Sequence, residues 1–102
     1  MNIQRFKAIL DQIKSHPETW NQYVWHSHCG TSHCIAGWAQ IHAKKIEDIC
    51  SADNDARKWL ELTYAEARYL FAPYRRMEDF DRILEHGFPK ECYEKVTNYS
   101  IE

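Results

Sequence analysis

A chain of 102 residues carries 13 Lys and Arg against 15 Asp and Glu, a formal charge of −2, with 44% hydrophobic and 27% charged residues. That length fits one domain and excludes multidomain enzymes, and that composition excludes a disordered chain. The charge balance gives no strong field toward nucleic acid or acidic membranes, and no apolar run approaches the roughly 18–20 residues that span a bilayer.

Ile3, Phe6, Ile9, Leu10 and Ile13 fall at helical spacing and predict an amphipathic helix over 3–13. Its polar face is not dominated by Lys or Arg, so it reads as a core helix rather than a membrane anchor. The same stretch is too broken by charges for a signal peptide, so the expected compartment is the cytoplasm, with reduced thiols. Pro17 ends the helix and opens a short turn, with Glu18 favourable near its start. Residues 20–30 lack a clean period and read as an ordered loop pinned by Trp20, Tyr23 and Trp25.

Thr31 or Ser32 then reads as the N-cap of a helix over 32–46, with Ile35, Trp38, Ile41 or His42, and Ile46 toward the core. Gly37 within it costs about 1 kcal/mol against Ala, which the close approach of a backbone or a ligand would compensate. SADND at 51–55 supplies the next cap, and Ala56, Trp59 and Leu60 continue a helical face. Thr63 with Glu66 forms a capping box, so a helix starts at Tyr64 and ends by about Ala72, before Pro73. Met77, Phe80, Ile83 and Leu84 mark another, stopped at Gly87. Pro89 opens a last one with Cys92, Tyr93 and Val96. No strand alternation, linker or repeat interrupts the series. The expected fold is a compact all-α domain, one unit over 1–102, of five or six short helices.

The unusual segment is 26–34, where three of the six His and two of the four Cys fall within nine residues. It lies where a loop becomes a helix, and a helix start has free N–H donors and a partial positive charge. Five readings compete there. Cys29 and Cys34 can be buried structural residues, with the Trp residues as core. The helix start can hold an anion, with Trp20, Trp25 or Trp38 as stacking walls. Zinc can take Cys and His ligands, although His42 lies about 12 Å along the helix from Cys34, so the ligands would come from 26–34 alone or from distant His86 or Cys92. A thiolate at Cys29 or Cys34, with His86 or a nearby His as base, would make a cysteine hydrolase. Cys-Gly-x-x-x-Cys here has a faint likeness to bacteriocin-leader peptidases, which are longer and carry the His on a β-rich half. A Cys29–Cys34 redox disulfide is the fifth.

Elsewhere the bland reading is the expectation. Arg68, Arg75, Arg76 and Arg82 are interleaved with Glu66, Glu78, Asp79 and Asp81, which makes a solvated mixed-charge face. The elements around Leu62 and Thr63 outline a helix-turn-helix, yet the charge balance argues against DNA.

Trp20-Asn21-Gln22, Trp25 and the run CGTSHCIAGWA from Cys29 to Ala39 resemble a group of small proteins without assigned activity, encoded by bacteria and their phages. Leu60-Glu61-Leu62-Thr63 with Glu66-Ala67 and Leu70-Phe71 resembles a second feature of that group, where the pattern reads Leu-Gly-Leu-Thr and Glu61 departs from it. The resemblance covers about residues 5–85 and implies a fold and a prokaryotic or viral source. Small phage accessory proteins often act by binding a host enzyme or a host nucleotide signal.

Together these readings lead to a cytoplasmic binding module without catalysis or cofactor. Its expected ligand site is Trp25, His28, Cys29, Gly30, Thr31, Ser32, His33, Cys34 and Trp38. Gly30, Thr31 and Ser32 would donate to an anionic or nucleotide-like ligand, His28 and His33 would add pH-tunable donors, and Trp25 or Trp38 would stack. The alternatives are a cysteine hydrolase and an inhibitor that binds a host protein. No DNA or membrane partner is expected. So many aromatics on so short a chain also suggest a homodimer.

Overall fold

The computed structural model describes residues 1–24, 26, 27, 31–43 and 52–93. Helix α1 spans Ile3–Ser15 and is capped by Asn2, whose side-chain oxygen accepts from the Arg5 N–H at 3.1 Å. It buries Phe6, Ile9, Leu10 and Ile13, while Ile3 at its start stays half exposed. Pro17–Thr19 form the expected short turn, of 3-10 type. Beyond it Trp20 packs edge-on against Phe80, with ring centres 5.8 Å apart. Tyr23 is 77% exposed and pins nothing, contrary to expectation. Trp25 lies outside the described residues.

The helix expected over 32–46 is shorter. Helix α2 spans Ile35–His42, and Cys34 rather than Thr31 or Ser32 is its cap, with Sγ accepting from the Gly37 N–H at 3.4 Å. Competing bonds explain the late start. The Thr31 and Ser32 N–H groups both donate to Ser27 Oγ. The His33 N–H donates to the Thr19 carbonyl, and the His33 carbonyl accepts from the Asn21 N–H. His33 is thus held extended, in isolated bridges with Trp20 and His26. Every residue from Ile35 to Gln40 is buried, so α2 is a central helix rather than an amphipathic one. Ile46 lies outside the described residues.

Helices α3 (Ala52–Trp59), α4 (Tyr64–Leu70) and α5 (Met77–His86) follow. The end of α3 has a Schellman pattern: Leu62 N–H reaches the Arg57 carbonyl and Glu61 N–H reaches that of Lys58. Glu61 occupies the left-handed position of that motif at φ 58°, where glycine is the residue without steric penalty. The α4 cap is the predicted box, with Glu66 N–H on Thr63 Oγ1 and Thr63 N–H on Glu66 Oε1. Helix α4 ends at Leu70 with Phe71 as its cap, within the limit of about Ala72 expected from Pro73. Gly87 closes α5 at φ 81°. Residues 90–93 are helical, and Val96 lies outside the described residues.

Helix α2 packs against α3 and α1, and α1 against α5. Their shared core holds Phe6, Ile9, Leu10, Ile13, Ile35, Leu60, Leu70, Phe80 and Ile83, all essentially inaccessible. Each such side chain contributes roughly 1.5–3 kcal/mol by burial. The described chain is all-α. Among the described residues no helix is long and apolar enough to cross a membrane.

Candidate functional site: a buried histidine relay beside an open groove

Two arrangements stand out, and both grow from the loop before α2. The first is a polar and aromatic chain. His26 Nδ1 lies 2.7 Å from His33 Nδ1, and His26 Nε2 lies 2.6 Å from Gln40 Oε1. With Gln40 Oε1 accepting, His26 carries its hydrogen on Nε2. A neutral His26 then accepts at Nδ1 from the Nδ1–H of His33. The His33 ring packs edge-on against Trp38, and Trp38 meets His42, which leans on Trp59. Trp38 Nε1 donates to the Thr19 carbonyl at 3.1 Å, and His42 Nε2 pairs with Gln12 Oε1 at 2.9 Å. Burial holds the His42 pKa below its ordinary value. Gln40 and His33 are buried and Trp38 nearly so. From buried Gln40 and His33 to partly buried His26 and His42, these groups hold the loop onto α2.

The second arrangement is a groove of about 480 Å³ between residues 18–23 and the turn after α4. Its floor is built by Gln22, which is buried and uses every polar atom. Gln22 Oε1 accepts from Trp20 Nε1 and from the Ile35 N–H, and Nε2 donates to the Leu70 and Ala72 carbonyls. One side chain therefore fixes the loop, the start of α2 and the end of α4. The groove walls are Tyr23 and Tyr74, 77% and 61% exposed, with Ser32, Arg75 and Arg76. Arg75 is held in place: its guanidinium carbon is 3.6 Å from the Tyr69 ring centre, Nε donates to the Tyr69 carbonyl, and Asp79 lies 3.9 Å away. Arg76 is exposed, and its guanidinium makes no ion pair among the described residues. Glu18 is the one acid among the lining residues described.

The predicted site residues divide among these arrangements. Trp25, His28, Cys29 and Gly30 lie outside the described residues. The N–H groups of Thr31 and Ser32, assigned to a ligand by the sequence reading, are taken by Ser27 Oγ. His33, Cys34 and Trp38 face the interior, and only Ser32 reaches the groove. Cys34 is a buried free thiol whose pKa burial raises, the opposite of an activated nucleophile. Cys92 is likewise free, with Sγ 3.3 Å from the Ala65 carbonyl. His86 stands exposed beside Glu85. Among the described residues no three His, Cys, Asp or Glu side chains converge as a metal site.

Sequence reasoning missed His26, Gln40 and Gln22. His26 was within the conspicuous segment, but its partner sits fourteen residues on. Gln22 entered only as the third residue of the Trp20-Asn21-Gln22 motif, which assigned it no role. Arg76 was read as part of a mixed-charge face, Tyr74 was not singled out, and nothing in their spacing announces a groove.

Fold and groove define a small all-α protein with an open cleft walled by tyrosine and arginine. No family model matches the chain, and no curated protein or solved structure matches it either.

Proposed function

We propose that this protein works by binding rather than catalysis, and that the groove holds a small anionic, nucleotide-like ligand. One observation carries the reading: two exposed tyrosines flank a cleft in which Arg76, with no ion pair among the described residues, stands beside an immobilised Arg75. A cleft of this volume lies within the range for small-molecule sites. Exposed aromatic rings offer stacking faces for a planar base, worth roughly 1–3 kcal/mol per base. A guanidinium offers paired donors for a phosphate. Ser32 adds a polar group from the segment picked out in the sequence. A nucleotide-like ligand would suit a regulatory or phage anti-defence role.

The experiment is a titration with adenosine monophosphate, followed by tryptophan fluorescence, since Trp20 lines the groove. Saturable quenching that Tyr74→Ala weakens about tenfold supports the reading. Absence of saturable quenching overturns it. A second reading, a host-protein partner, is favoured by the exposure of Tyr23, Tyr64 and Tyr74 together, because Tyr and Arg are enriched at protein interfaces.

A further inference from the structure

A second cavity, of about 330 Å³, lies between α3 and α4 and is lined by Asn54, Arg57, Tyr64, Arg68 and Phe71 with two alanines. Its described lining holds two arginines and no acid. Arg57 is fixed from three sides: Nη2 donates to Asn54 Oδ1 at 3.0 Å, Nη1 donates to the Leu62 carbonyl at 3.3 Å, and its guanidinium carbon sits 4.2 Å from the Tyr64 ring centre. All three partners are neutral, and no acid among the described residues forms an ion pair with it. Its Nε–H is buried and has no partner among the described residues. An immobilised guanidinium loses little further freedom on meeting an anion. Tyr64, 72% exposed, and Phe71 supply ring faces beside that charge.

We propose that this cavity is a separate site for a small phosphate ester carrying a planar ring. The phosphate would sit toward the two guanidiniums and the ring against Tyr64 and Phe71. A phosphate offers three terminal oxygens to the pair, which a carboxylate cannot match. The site shares no lining residue with the groove, and neither proposal needs the other.

The test is a titration of the isotope-labelled full chain with phenyl phosphate, read by amide chemical shifts, with phenol as the uncharged control. The expected result is saturable shifts at residues 54–57 and 64–72, with far weaker shifts from phenol. Arg57→Gln should weaken binding about tenfold, the loss of one charge-assisted contact, whereas Arg76→Ala should not. If Arg57→Gln fails to fold, Arg68→Gln and the exposed Tyr64→Ala take its place, each with a several-fold loss expected. No saturable shift at these residues, equal binding of phenol, or sensitivity to Arg76→Ala instead would overturn the proposal.

Discussion

The relay at His26, His33, Trp38 and Gln40 and the groove at Tyr23, Tyr74, Arg75 and Arg76 use similar side chains to opposite ends. In the relay, each polar atom with a described partner is spent on another part of the same protein, and the His33 and Trp38 rings are buried while His26 is partly so. In the groove, the Tyr23 ring and the Arg76 guanidinium face solvent, and Tyr74 is 61% exposed with the Arg75 guanidinium carbon 4.8 Å from its ring centre. A concentration of His, Cys and Trp in a sequence marks costly chemistry, but not whether that chemistry is turned inward. Satisfied hydrogen bonds and burial make scaffold; exposed rings beside an unpaired charge make a surface that can bind.

The largest effect should come from the residue that joins the two regions. Gln22→Leu removes four hydrogen bonds and leaves the Ile35 N–H and the Leu70 carbonyl without that partner in the interior. Urea unfolding should show a loss of about 3–5 kcal/mol, and a loss under about 1 kcal/mol would remove Gln22 as the clip. A smaller split should then separate relay from groove. His26→Ala takes a partner from buried Gln40 and should cost about 1–3 kcal/mol, whereas Tyr74→Ala should stay within about 0.5 kcal/mol of the parent protein. Equal losses from the two would erase the distinction drawn between them.

His42 sharpens the comparison through pH. Its folded pKa lies below the ordinary value of 6.5, because burial disfavours the imidazolium. The unfolded chain therefore takes up this proton first as pH falls. The stability linked to His42 is complete above pH 6.5 and declines as pH drops from there toward the folded pKa. Unfolding curves across that window should slope less in His42→Gln than in the parent, and parallel slopes would contradict the burial argument. A further small effect concerns neither region. Glu61→Gly relieves a left-handed conformation worth about 1–2 kcal/mol but loses the Asn2 Nδ2 to Glu61 Oε2 bond of 2.7 Å. The net should be a gain of no more than about 1 kcal/mol in thermal unfolding.

The sequence carried most of the fold because its punctuation is local. Asn, Pro, the Thr63–Glu66 box and Gly87 act within a few residues, and periodicity located the buried faces of α1 and α5. The start of α2 was not legible, since Ser27, Thr19 and Asn21 take the backbone groups that would have begun it earlier. Glu61 was visible as a departure from Leu-Gly-Leu-Thr, and φ 58° gives that departure its physical meaning. The groove escaped because its two walls come from residues about fifty apart, brought together by Gln22. Ser32 alone links the site read from the sequence to the cleft that the fold builds.

The central claim is that binding belongs to the open groove and the relay to the scaffold. Its most direct measurement is an amide chemical-shift map of the labelled full chain titrated with adenosine monophosphate. The prediction is saturable shifts at residues 20–23, 32 and 73–76, reduced in Arg76→Ala, with residues 33–40 nearly still. Shifts centred on 33–40, or none that saturate, would contradict it.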